Sequence, residues 1–585
     1  MAFIKNILSS CLGAFLAFVL VIGFGIFVVA MIATVASDKK VDIDDNAVLQ
    51  LKLTAPITEL EADDPLTELF PGAGDQPIGL IQLKQAIAHA KDDAKIKGIY
   101  LSITHPLAGI TTVEEIRESL LDFRQSGKWV VAYSDMYSEG GYYLASAADK
   151  VYLNPEGDVE FNGLAIEVTF FKKMLDKLEI KPEVFRVGDF KSAVEPFLRD
   201  NMSEPNKLQM NSLVNSIYGE MLARVSESRK IPKDKLKEIA DKMLVRNAAQ
   251  AAQLGLVDSL YYEDQVKDEL RDRLGIKKDK PIHLVKYSQY KKSFSTYKES
   301  KNEIAVIVAD GTILPGESDR GVVGSVTIAD AIRKARISES VKAIVLRINS
   351  PGGAFQASDQ MWREVSLASK EKPIIASMSD LAASGGYYLA MACDTIVAQP
   401  TTITGSIGIF SVLFDLSGFL GNKIGVTSEE IKTGEIGDLV SVMRPLTDVE
   451  RGIWQKKTEE IYETFTGKAA EGRKMTRDDI KKIASGRVWT GTQAKDNGLV
   501  DVLGGFPDAI KIAAGAARLG DDYKLRYYPH QKTFIEKIMG DLEKNTKATI
   551  LRNELGEYYP WFRQWQHVKE YQGVQARMPV EIVIR

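Results

Sequence analysis

One stretch of this chain occurs twice. Ser134–Ala145 reads Ser-Asp-Met-Tyr-Ser-Glu-Gly-Gly-Tyr-Tyr-Leu-Ala and Ser379–Ala390 reads Ser-Asp-Leu-Ala-Ala-Ser-Gly-Gly-Tyr-Tyr-Leu-Ala, without a gap at an offset of 245. Upstream the register holds, Ile96–Ile103 matching Val341–Ile348. Downstream, with the offset slipping by two, Gly255–Leu260 matches Gly498–Leu503. Self-similarity on this scale means a duplicated fold. Within each copy, short apolar runs such as Pro373–Ala376 alternate with helical segments, which predicts α/β lobes built from βαβ units.

The duplication makes each half a control for the other, because shared residues are explained by the fold and unshared ones need another reason. The Gly-Gly-Tyr-Tyr core is shared, but Ser384 faces Glu139. Pro351-Gly352-Gly353 faces Pro106-Leu107-Ala108, so only the second half has a glycine pair whose N–H groups can approach an oxyanion. In the opposite direction Lys191, in Arg186-Val-Gly-Asp-Phe-Lys191, faces Gly437. Ser384 lies at a predicted strand-to-helix turn, where a hydroxyl serves either as a nucleophile or simply as a helix N-cap.

A nucleophilic serine needs a base, and none of the five histidines, His89, His105, His283, His530 and His567, is close to Ser384 in sequence. A remote histidine triad stays possible on this ground alone. A lysine can replace histidine if it is neutral near pH 7. Bringing its ordinary value of about 10.4 that low costs about 4 kcal/mol, which desolvation has to impose. Around Lys191, Phe190, Ala193, Val194 and Phe197 favour dryness, whereas Asp189 and Glu195 would favour the charged form if they faced it.

Gly188-Asp-Phe-Lys-Ser-Ala-Val-Glu-Pro-Phe197, Pro351-Gly-Gly353, Ala382-Ala-Ser-Gly-Gly-Tyr387 and Thr404-Gly-Ser-Ile-Gly-Ile-Phe410 together resemble the signal peptide peptidase A (protease IV) family, peptidase family S49, in its long two-repeat form. The resemblance implies tandem ClpP/crotonase-like lobes. It implies Ser384 as nucleophile, Lys191 as general base and Ser406 as the serine that orients the lysine. Ser406 faces Leu164 in the other half. Gly353 and Gly385 are the implied oxyanion donors. The expected activity is a serine endopeptidase acting on extended apolar peptides such as released signal peptides, needing no cofactor or metal. A homo-oligomer, a tetramer by resemblance, is expected too. A crotonase-like acyl-CoA enzyme and a non-catalytic membrane scaffold are the alternatives.

Ser9–Ala36 is an uncharged apolar run of 28 residues. It exceeds the apolar region of a signal peptide, roughly 7 to 15 residues, and predicts an N-terminal transmembrane anchor. A cleaved signal peptide is the alternative, prompted by Val35-Ala-Ser37. Charge leaves the orientation open, Lys5 flanking one end and Lys39-Lys40 the other. The family resemblance implies the bacterial inner membrane, with the catalytic part on the periplasmic side. The expected organisation is an anchor over 1–45, a first repeat over 46–260, a connection over 261–301, a second repeat over 302–544 and an aromatic tail over 545–585. Near-balanced charge, net −4 over 585 residues, gives no sign of nucleic-acid binding. Cys11 and Cys393 suggest neither a disulfide nor a metal site.

Overall fold

A computed structural model describes residues 13, 15–20, 23, 24, 41–61, 77–296, 298–529 and 573–578. The duplication is visible as two sheets of matching strand order. In the first lobe the order is Ser259–Leu260, Lys150–Val159, Trp129–Tyr137, Ile96–Ser102, Ala47–Lys52, Leu284–Lys286, every pair parallel. In the second lobe, Ile374–Ala383, Val341–Ser350, Glu303–Asp310 and Lys524–Tyr528 repeat that order. Beyond Ile374–Ala383, Thr395–Ala398 pairs with Val502–Leu503, and Ile403–Gly405 with Val488–Thr490. The central strands read as near-continuous apolar runs because helices cover both faces of a parallel sheet; Ala343–Ile348, for instance, is buried throughout.

The stretch expected as a connection, 261–301, belongs to the first lobe's packing. It forms the helix Glu263–Leu274 and the strand Leu284–Lys286 that pairs with Ala47–Lys52. Its copies in the second lobe are the helix Phe506–Ala516 and the strand Lys524–Tyr528. The sequences of these pairs have diverged too far for the repeat to show.

A third sheet joins the lobes. Its order is Val322–Gly324, Thr312–Leu314, Gly352–Ala354, Gly573–Arg577, Phe410–Asp415, Lys181–Arg186. Lys181–Arg186 comes from the first repeat and pairs antiparallel along the whole of Phe410–Asp415 from the second. The chain just after Arg186 is thereby carried into the second lobe.

Two polar contacts lock the lobes together. Arg347, on the second lobe's central strand and fully buried, donates to Glu59 at 2.8 and 3.2 Å and to Glu115 at 2.6 Å, both on the first lobe. It also reaches Ser377 Oγ (3.1 Å) and Ser379 Oγ (3.0 Å) on the strand that leads to Ser384. Burial pushes the Glu115 carboxyl up, but Arg347 and Lys84 outweigh it and hold it at about 2. Asp380 accepts from the backbone N–H (2.9 Å) and hydroxyl (2.5 Å) of Thr112. It caps the helix Ile110–Arg124, whose own N-cap, Gly109, has no side chain to offer.

The membrane expectations are corrected. Among the described residues no helix is long and apolar enough to cross a membrane. The longest described helical piece of the apolar run is Phe15–Leu20, about 9 Å long at the helical rise, against a hydrocarbon layer of about 30 Å. The transmembrane helix, the membrane anchor, the membrane as a partner and the inner-membrane, periplasmic placement are therefore withdrawn. Hydropathy of one stretch was their only local support. Most of that run, Cys11 included, lies outside the described residues, as does the aromatic tail over 545–585 apart from 573–578.

Removing Arg347 leaves the buried Glu59 without its counter-charge and Glu115 with Lys84 alone, a loss of about 3–5 kcal/mol. Arg347→Met is expected to lower the thermal midpoint, followed by circular dichroism, by several degrees. An unchanged midpoint would show that the network contributes nothing to lobe docking.

Candidate active site

Ser384 ends the strand Ile374–Ala383 and precedes the helix Gly385–Ala390 in a backbone conformation of φ 54°, ψ −108°. Such a conformation costs of order 1–3 kcal/mol for a non-glycine residue and persists only where its surroundings impose it. Here the Ser384 N–H donates to Gly405 O at 2.8 Å and the Ser384 carbonyl accepts from Tyr388 at 2.8 Å. Its hydroxyl makes no cap bond to the helix. The capping role goes to Ser138 in the other lobe, whose hydroxyl accepts from Gly141 at ordinary φ of −69°. The strained turn thus aims the Ser384 hydroxyl away from the helix.

It aims at Lys191. Nζ of Lys191 lies 2.8 Å from Ser384 Oγ, 2.9 Å from Ser406 Oγ and 3.0 Å from Ser406 O. All three residues are fully buried. Three oxygen partners fit the three N–H donors of an ammonium and equally a neutral amine, whose two N–H groups donate to Ser406 while its lone pair accepts from the Ser384 hydroxyl, so burial decides the charge state. Burial alone lowers the Lys191 amine well below its ordinary value. The nearby carboxylates do not oppose it. Asp189 is exposed. Glu195 accepts instead from Ser203 N (3.1 Å), the Ser203 hydroxyl (2.5 Å) and Asn206 Nδ2 (3.0 Å).

Close backbone approach makes the pocket dry. At Gly188 (φ 94°) an added Cβ would stand 2.5 Å from Ser485, and at Gly486 (φ 81°) one would stand 2.6 Å from Lys191 Cβ. Gly408 lies against the lysine stem, its Cβ position 3.3 Å from Cδ. Phe190 N–H donates to Ser485 O at 3.1 Å, and Gln209 donates to Phe190 O at 3.0 Å. Ser406 is held at φ 51° by its N–H bond to Arg487 O at 2.7 Å. Sequence reading passed over Gly486, Gly408 and Gln209. The one signal for the first two was that glycines in a segment with other turn residues often mark close backbone approach.

One candidate oxyanion donor, Gly385, and Gly352, the residue before the other, flank one carbonyl. Gly353 lies opposite Ala576 in the third sheet. A Cβ on Gly352 would meet Ala576 O at 2.1 Å and Gly385 N at 2.6 Å, and a Cβ on Gly385 would meet Ala576 O at 3.1 Å. The Ala576 carbonyl therefore sits between Gly352 and Gly385, next to Ser384.

In the first lobe the equivalent corner is closed. Glu139 accepts from Asn162 N (2.9 Å) and Gly163 N (3.1 Å), and burial pushes its carboxyl up to about 7. His105 contacts Ser138 (3.2 Å), His283 contacts Asp44 (3.0 Å) and His89 stacks on Phe294. None of these three is drawn to Ser384, and His530 and His567 lie outside the described residues. Gly437, the counterpart of Lys191, sits in an exposed turn. Cys393 is a buried free thiol just past the end of the helix Gly385–Ala390.

A neutral buried Lys191 is itself a stability cost at pH 7, because the unfolded chain carries a protonated lysine there. The folded state binds fewer protons, so stability at this position rises with pH up to the ordinary value of about 10.5. Lys191→Met is expected to raise the thermal midpoint at pH 7, with the gap over wild type narrowing as pH approaches 10. A gap independent of pH would mean that Lys191 is charged when folded.

The sequence profile of Peptidase family S49 matches the chain twice, at residues 122–277 and 366–520. Protease 4 of Haemophilus influenzae is 37% identical over 558 residues, covering 91% of this chain and 90% of that protein. Protease 4 of Salmonella typhi is 38% identical over 495 residues, 83% of this chain and 79% of that one. Among solved structures, a point mutant of ClpP1 from Listeria monocytogenes is 16% identical with a TM-score of 0.23, covering 35% of this chain and 94% of its own. That score adds nothing to what the sheet order says of the fold. With the profile matched in both repeats and relatives aligned over nearly their whole length, the chain belongs to peptidase family S49 and is a serine peptidase.

Proposed function

We propose that the chain hydrolyses peptide bonds in extended peptides with Ser384 as nucleophile and Lys191 as general base. The observation that carries this reading is the buried Lys191 amine 2.8 Å from Ser384 Oγ, with no carboxylate to keep it charged. Ser384 Oγ attacks the substrate carbonyl while Lys191 takes its proton. Ser406 holds the amine in place through its hydroxyl and carbonyl. The developing oxyanion is received by the N–H groups of Gly353 and Gly385. Lys191 returns the proton to the leaving amine and then activates the water that releases the acyl group from Ser384. The acyl-CoA and scaffold alternatives give no role to the split serine and lysine and do not fit a serine peptidase family.

The test is labelling by a fluorophosphonate probe with peptide mapping, alongside kcat/KM on a fluorogenic peptide. Ser384→Ala and Lys191→Ala are each expected to abolish labelling and to lower kcat/KM by about 10³-fold or more. The double variant should be no worse, since the two act as a unit. In the wild type, kcat/KM should rise with pH along an acid limb whose midpoint lies well below the ordinary lysine value, because the neutral amine is the active form. Labelling at another residue would overturn the assignment.

A further inference from the structure

A single amide spans the two halves of the dyad. Gln209 lies on the helix Glu204–Arg229 of the first lobe and is fully buried. Its Nε2 stands 3.0 Å from Phe190 O and 2.9 Å from Ser192 Oγ, in the residues on either side of Lys191. Its Oε1 accepts from the Val488 N–H at 3.3 Å. Val488 pairs with Gly405, whose carbonyl accepts from the Ser384 N–H, and the Arg487 carbonyl just before it accepts from the Ser406 N–H. The amide therefore faces the lysine loop with its nitrogen and the strands that back both serines with its oxygen.

The direction of the amide is fixed from outside. A carboxylate only accepts, so Asn206 turns Nδ2 to Glu195 (3.0 Å) and offers Oδ1 to Gln209 Nε2 at 3.1 Å. That leaves Oε1 for Val488. The same chain keeps the Glu195 carboxylate engaged at its far end. The duplication supplies a comparison. The second lobe's helix Asp448–Arg473 is also 26 residues long, Thr447 caps it as Ser203 caps Glu204–Arg229, and the position equal to Gln209 is Ile453, 37% exposed. Gln209 thus belongs with Lys191, Ser384 and Ser406 among the positions the two copies do not share.

We propose that Gln209 is a positioning residue for the dyad, its amide setting the separation between the Lys191 loop and the strands behind Ser384 and Ser406 and, through Asn206, holding Glu195 away from the amine. An amide suits this place because it offers a donor and an acceptor at once and brings no charge into a pocket whose chemistry needs a neutral lysine. Gln209 is buried behind Phe190 and Val488, so it acts through Lys191 and Ser406 and touches no substrate.

This proposal rests on the peptidase reading above, and its test separates the two. Wild type, Gln209→Met, Gln209→Asn and Val225→Ala are compared on a fluorogenic peptide across pH, with fluorophosphonate labelling and thermal midpoints measured on the same samples. Methionine keeps the size and loses both bonds; asparagine keeps the amide and falls one methylene short of bridging. Val225, buried near the far end of the same helix, gives a destabilised control. Both Gln209 variants are expected to lose about 10- to 100-fold in kcat, since a small displacement of a catalytic group costs that much. KM should stay within about 2-fold, because no contact with substrate is removed. The acid limb of kcat/KM should move to higher pH by about 0.5 unit or more, because water and Glu195 then favour the charged lysine. Val225→Ala should lower the thermal midpoint and leave kcat and the acid limb unchanged. Wild-type kcat and acid limb in either folded Gln209 variant, or the same changes in Val225→Ala, would overturn the positioning role. A wild-type protein that is not labelled at Ser384 would overturn the dyad itself, and this proposal with it.

Discussion

The exclusion of water from one amine governs this molecule. Lys191 has an oxygen at each of three directions and no counter-charge, and that arrangement exists only because the lysine is dry. Keeping a lysine neutral at pH 7 costs about 4 kcal/mol. The strained Ser384 turn adds to that cost. Both are maintained by structure elsewhere: the strand Lys181–Arg186 threaded into the second lobe's sheet, the close approaches of Gly188 to Ser485 and of Gly486 to Lys191, and the Arg347 network that clamps the lobes. The active geometry belongs to the docking of two lobes, with neither lobe holding it alone.

Duplication explains how such a split site can be built. Two copies of one βαβ scaffold present the same strand-to-helix corner twice, and the copies have been filled differently. At one corner Ser384 takes a positive φ and turns its hydroxyl toward Lys191; at the other Ser138 caps the helix and Glu139 ties down Asn162 and Gly163. The loop whose two backbone N–H groups Glu139 accepts corresponds to the one that, in the other lobe, carries Ser406. The first lobe therefore contributes its lysine and its docking surface, and the second contributes Ser384, Ser406 and the glycine cradle.

Much of this was legible in the chain itself. The offset of 245 between repeats marked a duplicated α/β fold, and the unshared positions Ser384, Lys191, Ser406 and Gly353 are the ones that the structure gathers at one corner. Other features were not legible. Residues 261–301 looked like a linker because Leu284–Lys286 and its copy at Lys524–Tyr528 share sheet position but little sequence. The strand Gly573–Arg577 within the tail was not anticipated, since a run containing Gly, Gln and Arg has weak strand propensity and is held by its two neighbours. The transmembrane helix was inferred from hydropathy alone and is withdrawn.

What the sequence by itself determined is which residues differ between the two copies, because comparison at equal positions needs no coordinates. What only the tertiary structure decided is whether those residues meet and in what state of charge. A separation of 193 positions between Lys191 and Ser384 says nothing of distance. Nor does the presence of Asp189 and Glu195 beside Lys191 say where their carboxylates point. The fold turns Asp189 to solvent and Glu195 to Ser203 and Asn206. The pKa of Lys191 follows from those directions and from its burial, and these are properties of packing in three dimensions.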